Sequence, residues 1–550
     1  MSDDEMNMSP PGSPPASFDS SSYDDGSLPS GVKKTVITDG TGWEKPKDMY
    51  EVKVNITGKH GETVFDSNES EGQPRTYVVG SGLPCKGLNA ALKNMKKGEK
   101  STFVIEAAQG FGSEGLPDKN VPADSEITYE VELVDWHKVE DVSKTKNKSI
   151  LVKVLVEGPD WDKPKDNDIS FLRYRGRVVN EDTYFVVEGM GEGDEPVRTK
   201  TSSITPSGLL AAVKELKKGS KALITLKPEH AFGEAGIPDK AVPANATVEY
   251  EVELVDVHNV VDVSKDGGVL CETLNKISAE WKKPKETSKC VVSWKAAVAG
   301  SEPWVARQFE EVENRDVVIG SAGPDAVTDG LERALEQLVK GQRAYVTVKP
   351  EYAYGDAGLE AKVKPGETVE YRVELHSFEE APSTYSMSAA EKKAYTEKIK
   401  EAGNIYFKAG QTRRALRRYE VALEPFEYID SIKDEDEKKT AQELKAACLL
   451  NIAACHDKQG NWNQVMSKCN KVMELAVNHN KARFRRAKAY IQLGRLQEAR
   501  SDLEKLLEVD PNDKAVVTMM GTVRKLQKDQ DARAKQIFGK MFKSAESPTA

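Results

Sequence analysis

AQGFGSEGLPDKNVPADSEITYEVELV, residues 108–134, is written three times in this chain. It returns as EHAFGEAGIPDKAVPANATVEYEVELV from Glu229 and, more worn, as EYAYGDAGLEAKVKPGETVEYRVEL from Glu351. The closing aromatics Tyr129, Tyr250 and Tyr371 stand 121 residues apart both times. That period is too long for a solenoid unit, so each copy marks a whole domain. Each reads as an aromatic–glycine step, a Gly/Pro-rich loop and an alternating strand such as Ile127, Tyr129, Val131, Leu133.

Outward from this stretch the repeat extends over whole cassettes. Each opens with an aromatic-Lys-Pro turn, at Trp43–Pro46, Trp161–Pro164 and Trp281–Pro284. An alternating strand follows (Val52, Val54, Ile56), then a polar loop and a short helical segment, Leu88–Met95, closed by Lys-Lys-Gly98. Its equivalents, Leu209–Leu216 and Leu331–Leu338, end at Gly219 and Gly341. Strands around one short helix predict small α+β domains of about 105 residues, placed at 34–136, 150–257 and 268–378. The intervening 136–149 and 257–268 read as linkers.

After Ser377 the pattern changes. From Met387 the periodicity is helical, with Gly403, Ala453 and Ala487 at equivalent small positions. The second interval is 34 residues, the tetratricopeptide period. The first is 50, so extra residues are placed in the acidic 430–439 region. Ala415, Ala422, Ala499 and Pro511 fall on the repeat's small and proline positions. Three repeats are expected at 387–514 and a basic helix and tail at 515–550. Residues 1–33, acidic and Ser/Pro/Gly-rich, read as a disordered leader.

The totals set the class. Seventy-nine basic against 89 acidic residues give −10, which argues against nucleic acid as a partner. Six cysteines without a CxxC suit a reducing compartment. No apolar run approaches membrane-spanning length and the N-terminus lacks a signal pattern. The expectation is a soluble chain of the cytoplasm, with the nucleus as the alternative, and no membrane partner. Gly189-x-Gly191-x-Gly193 sits in an acidic loop without strand–helix context, and the seven histidines show no ligand spacing. Neither a metal nor a cofactor is expected.

The cassettes resemble FKBP domains, the rapamycin-binding immunophilin fold with peptidyl-prolyl isomerase activity. The resemblance is carried by Val-Lys-Val-Asn-Ile-Thr-Gly58, Val-Phe-Asp-Ser67, Met-Lys-Lys-Gly98, Gly-Phe-Gly112 and Tyr-Glu-Val-Glu-Leu133. Three such domains followed by tetratricopeptide repeats and a basic tail are similar to the large plant-type immunophilins. The implied fold is a multidomain one: three α+β domains, each an antiparallel sheet wrapped around a short helix, then an all-α region.

Prolyl isomerisation needs no nucleophile or metal. Its barrier is amide resonance, about 18–20 kcal/mol, lowered by an apolar aromatic pocket that favours the twisted amide. In domain one Phe65, Asp66, Phe111 and Tyr129 match the family's pocket residues, with Phe111 where a Tyr is usual. Ile56 stands at the strand's Tyr, Arg75 at an aromatic position, Pro84-Cys85 at the Val-Ile step, and Leu88 at the Trp floor. Domain two keeps Tyr174, Phe185 and Phe232 but has Val186 for the Asp and Leu209 for the Trp. Domain three has Ala296 for the Tyr and no recognisable Phe-Asp pair, keeping Tyr354 and Tyr371. Activity, weak or lost, is thus expected in residues 34–136 alone.

The helical region resembles tetratricopeptide domains that clamp the acidic EEVD-type tail of the ninety-kilodalton heat-shock chaperone. The family pattern is met at Lys400, Asn404, Asn451, Lys481 and Arg485. Lys400/Asn404 and Lys481/Arg485 are each i,i+4, so each pair shares a helix face. The cations would supply charge-assisted bonds to carboxylates and the amides would fix orientation. In the tail, Arg524, Lys525, Lys528, Ile537, Phe538, Met541 and Phe542 are the members of a basic helix that plant relatives use for calmodulin. A capping helix over the last repeat is the other reading, and both can hold. The resemblance implies a co-chaperone that brings client proteins to the chaperone. An active isomerase independent of the chaperone and a catalytically dead scaffold are the alternatives.

Overall fold

The computed structural model describes residues 28–545 apart from positions 278, 301–302, 324–325, 428, 430–431, 433 and 477, with side chains in the last helix described as far as 537. Residues 1–27 of the expected leader lie outside the described residues. Two compact units divide between Asn259 and Val260.

The first unit holds two sheets. In the first, the strands lie in the spatial order Val32–Thr38, Lys100–Ile105, Ile127–His137, Glu51–His60, Thr63–Ser67, and Arg75–Val78 also pairs with Glu51–His60. All pairings are antiparallel. Val52, Val54, Ile56, Phe103, Ile105, Tyr129, Val131 and Leu133 alternate onto one face. Helix α1 (Lys86–Lys93) lays Leu88, Ala91 and Leu92 on it. Gly87 permits that approach, since a Cβ there would lie 2.5 Å from Ile105 Cγ2. The second sheet repeats the plan: Tyr184–Glu188, Ile169–Val178, Val248–His258, Lys221–Leu226, Ile150–Val156 and Val139–Asp141, with α2 (Ser207–Val213) on its face.

The linkers are not loose. Residues 136–149 complete one sheet and begin the next: Ile127–His137 belongs to the first, and after Lys138 alone Val139–Asp141 pairs with Ile150–Val156 in the second. The turn between them is built by Asp141, whose carboxylate accepts from Ser143 N (2.9 Å), Ser143 Oγ (2.5 Å) and Lys148 N (2.7 Å). The same Asp-Val-Ser-Lys recurs at 262–265. There Asp262 accepts from Ser264 Oγ (3.0 Å) and Gly267 N (2.8 Å), and Val260–Asp262 pairs with Val269–Thr273. An Asx-type turn holds two short strands together, and this repeated tetrapeptide was its signal.

In the second unit the third sheet runs Val260–Asp262, Val269–Thr273, Arg343–Val348, Val369–Glu379, Lys289–Val298, Gln308–Val318. A one-turn helix α3 (Trp304–Arg307) precedes the last strand in that order, and α4 (Asp329–Leu335) packs on the sheet's inner face. Helices follow: α5 (Ala389–Lys408), α6 (Thr412–Val421), α7 (Glu435–Lys458), α8 (Trp462–Leu475), α9 (Asn480–Gln492), α10 (Leu496–Val509) and α11 (Lys514–Ala545). They pair as α5/α6, α7/α8 and α9/α10, three tetratricopeptide hairpins, with α11 against the last. Ser388 caps α5 in a capping box with Glu391. Ala415, Ala422, Ala453, Ala487 and Ala499 are fully buried between helices. Part of the extra length in the second repeat lengthens α7, which has 24 residues where α9 has 13.

Candidate functional sites

The strand alternation in domain one aims Tyr129 inward, and the neighbouring hairpin brings Phe65 to its edge. Their ring centroids are 5.5 Å apart at 83°, and Phe65 meets Phe111 at 5.7 Å and 80°. Such edge-to-face pairs are the favoured aromatic geometry. Leu88 and Ile56 are buried in the same cluster, with Cys85 beside them. Burial pushes the Tyr129 hydroxyl well above the ordinary tyrosine range. Asp66 is committed elsewhere: Arg75 Nη1 donates to its Oδ1 at 2.7 Å while Arg75 Nη2 donates to Ser67 O at 2.7 Å. The arginine at the aromatic position thus neutralises the acid of the Phe-Asp pair.

Domain two repeats the trio closely. Phe185 lies 5.8 Å from Phe232 at 86° and 5.7 Å from Tyr250 at 90°, with Tyr174 6.5 Å from Tyr250. In domain three, Phe309 meets Tyr354 at 6.2 Å and 72°. Phe309-Glu310 therefore occupies the Phe-Asp place that the sequence reading left empty, and Glu310 accepts from Trp294 Nε1 at 2.7 Å. An acid one carbon longer, displaced from the regular spacing, hid it. Thr328 caps α4 and its Oγ1 lies 3.0 Å from Tyr371 Oη.

A joint between domain three and the first helical hairpin lies outside every site predicted from the sequence. Arg418 is fully buried and pairs with both Glu286 and Glu332. Arg414 Nη2 donates to Val327 O and to Glu332 Oε2, each at 3.0 Å, and Arg417 pairs with Glu336. Tyr406 donates its hydroxyl to Ser321 O. Arg413 stacks over the Tyr352 ring at 4.1 Å. Gly320, at φ +87, leaves room for Glu286 and Arg418, since a Cβ there would lie 2.6 Å from Arg418 Nη1. Burial raises the Glu286 carboxyl to about 7, with Arg418 opposing and Glu332 adding to the rise. Four arginines within six residues of α6, facing an acidic stretch at 329–336, were the available signal.

The proposed clamp residues lie on α5, α7 and α9. Tyr419 donates its hydroxyl to Asn404 Oδ1 at 2.7 Å, and Asn451 Nδ2 approaches the same oxygen at 3.5 Å. Arg485 Nη1 donates to Leu450 O at 2.6 Å, next to Asn451. Lys400 acts on the buried Cys448 thiol, opposing the burial that raises it to about 11. Lys400, Asn404, Asn451 and Arg485 are half-buried and Lys481, one turn from Arg485, is exposed. In α11, Val516, Met520 and Val523 are buried against the last hairpin, whereas Arg524, Lys525, Lys528 and Ile537 are exposed. The side chains of Phe538, Met541 and Phe542 lie outside the described residues.

Comparison with known proteins follows this division. The profile of a family described as FKBP-type peptidyl-prolyl cis-trans isomerase matches residues 42–134, 160–255 and 280–376, just over half of the chain. A second, described as anaphase-promoting complex, cyclosome, subunit 3, matches residues 436–506. Human peptidyl-prolyl cis-trans isomerase FKBP4 is 31% identical over 413 residues, covering 73% of this chain and 85% of that protein. The Arabidopsis thaliana isomerase PASTICCINO1 is 28% identical over 510 residues, covering 89% and 78%. The solved three FKBP domains of wheat FKBP73 share 34% identity over 41% of this chain and 94% of that one, at a TM-score of 0.38. The chain belongs to the FKBP-type peptidyl-prolyl cis-trans isomerase family.

Proposed function

We propose that this chain is a co-chaperone that docks the acidic C-terminal tail of the ninety-kilodalton heat-shock chaperone through Lys400, Asn404, Asn451, Lys481 and Arg485. One observation carries the reading: two asparagine amides and an arginine from three different helices converge, with two lysines on the same helices. A carboxylate pair needs such a set, charge for attraction and amides for orientation. Domain one is the module that receives prolyl amides of client proteins, on Phe65, Phe111 and Tyr129. Asp66, held by Arg75, shapes the wall rather than meeting the substrate.

The test is binding of a peptide ending in Glu-Glu-Val-Asp to the full chain by calorimetry. Lys400→Ala and Lys481→Ala should abolish measurable binding with unchanged circular dichroism, and retained binding in both overturns the assignment. Arg485→Ala is less clean because its guanidinium also joins α9 to Leu450 O.

A second reading concerns α11. Exposed Arg524, Lys525, Lys528 and Ile537 suit capture of this helix by calmodulin. Calcium-dependent retention of the full chain on calmodulin, lost on Lys525→Glu with Lys528→Glu, tests it, and equal retention of the variant removes it.

A further inference from the structure

Domains two and three each carry a short strand that domain one lacks among the described residues. Val139–Asp141 pairs with Ile150–Val156, and Val260–Asp262 pairs with Val269–Thr273. The strand equivalent to these partners in domain one is Val32–Thr38: Val32 faces Ile105 as Ile150 faces Leu226 and Val269 faces Val348. It stands at the end of its sheet, with no strand beyond it among the described residues. Gly31 O turns inward to accept from Glu106 N at 2.8 Å. By alternation the backbone groups of Val32, Lys34 and Val36 point outward, away from the sheet.

The residues before that strand repeat the writing of the other two covers. In domain three Val260-Val261-Asp262 is followed by Val263-Ser264, and Asp262 stands seven residues before Val269. Tyr23-Asp24-Asp25 is followed by Gly26-Ser27, and Asp25 stands seven residues before Val32. Domain two has the same Asp-x-Ser at 141–143, two residues further from Ile150. Both described covers use it alike. Ser143 Oγ and Ser264 Oγ donate to the Asp two residues before them, while Val142 N and Val263 N donate to Ile150 O and Val269 O at 3.0 and 2.9 Å. Residues 23–27 lie outside the described residues. Leu28, the first described residue, packs against the core of domain one within four residues of Val32. It supplies the apolar contact that Val142 and Val263 make in their own domains, where this segment has Gly26.

We infer that Tyr23-Asp24-Asp25 docks on the outer side of Val32–Thr38 as the cover strand of domain one, antiparallel, with Asp25 across from Lys33, Asp24 from Lys34 and Tyr23 from Thr35. The register is the one that sets Asp262 on Leu270 and Val260 on Glu272. Here it sets acids across from bases, where the other covers face Leu151, Val152, Leu270 and Cys271. Cross-strand pairs of opposite charge contribute about 0.2–1 kcal/mol each. Lys34 already holds Glu99 at 2.7 Å, whereas Lys33 is exposed. Asp25 with Lys33 is therefore the pair that selects this register over its neighbours. A second copy of the chain is the poorer occupant, because Val-Lys-Lys-Thr-Val-Ile-Thr offers no acid to these lysines. Domain one then begins at Tyr23 rather than at residue 34, and the rest of the leader hangs from its sheet.

The experiment follows backbone hydrogen exchange of residues 32–38 in the full chain by mass spectrometry. The amides of Lys34 and Val36 are those the cover would bond. They should exchange at least about tenfold more slowly than in Asp24→Pro, which removes the central donor of the ladder without touching the described domain. Asp25→Lys should speed the exchange, and Lys33→Glu added to it should slow it again. Equally fast exchange in wild type and Asp24→Pro overturns the inference by showing an open strand. Slow exchange that survives Asp24→Pro overturns it too: protection that fades on dilution assigns the edge to a second copy, and protection that does not assigns it to another segment. Failure of Lys33→Glu to restore protection overturns the register, and the inference with it.

Discussion

Arg418 of α6 and Glu286 of domain three form a buried ion pair between residues 132 positions apart, with side-chain exposures of 0% and 7%. Glu332 shares the same guanidinium, so one arginine holds two carboxylates that would otherwise repel. Arg414 extends the contact to Val327 O, beside Thr328, the N-cap of α4. Domain three is thereby joined to the helices through α4 and the residue that precedes its cap.

Removing one partner from such a set leaves charge buried without compensation, which costs about 3–5 kcal/mol. Arg418→Met should lose that much in urea unfolding of the full chain. Adding Glu286→Gln and Glu332→Gln to the same variant should restore most of it. A single variant of wild-type stability would show that the joint does not bind domain three to the helices.

The joint should also respond to pH. Glu286 rises from its ordinary 4.5 to about 7 chiefly through burial, against Arg418 and Arg417 and with Glu332. The folded state then holds the proton more tightly than the unfolded chain. This contribution is complete below pH 4.5 and is lost as pH rises to about 7. Glu336, also raised, acts in the same direction. Thermal midpoints measured between these limits should fall less steeply in Glu286→Gln than in wild type, and parallel curves would refute the linkage.

Binding of the acidic tail should weaken with salt, because Lys481 is exposed and its attraction is screened beyond about 8–10 Å at physiological ionic strength. Calorimetry at rising salt should show a shallower dependence for Lys481→Ala than for Asn451→Ala, which removes no charge. Identical slopes would mean that Lys481 does not meet the peptide.

Gly403 faces Tyr419 so closely that a Cβ would lie 2.7 Å from its Cε1. Gly403→Ala forces that ring away, and overpacking of this kind costs about 1–3 kcal/mol. Because the Tyr419 hydroxyl holds Asn404, the variant should lose tail affinity as well as stability. Loss of stability with full affinity would separate the two.

The fold was legible because it is written in periodicities: three cassettes 121 residues apart and a 34-residue helical interval. The aromatic trio of domain one followed from its motif. Phe309-Glu310 did not, since the strand pair that carries it departs from the regular spacing and its acid is Glu. The joint was illegible for another reason. Glu286, Glu332 and Arg418 are ordinary surface residues on their own elements, and only tertiary packing buries them. Arg485 shows the same limit, because the sequence offers it as a candidate clamp cation without revealing that it bonds Leu450 O.

Val139–Asp141 is three residues long, two of them acidic, and it lies at the border of the second sheet. What it covers is Ile150–Val156, a run of ILVKVLV. Cut away at residue 150, domain two would present that apolar strand with open amides and carbonyls, a template for self-association. The short acidic strand is a guard rail: it satisfies one side of the run and offers the next molecule only a charged, truncated border. Val260–Asp262 likewise pairs with Val269–Thr273, though with Asp262 as its single charge, so fragments meant to stay in solution should begin at Val139 and Val260.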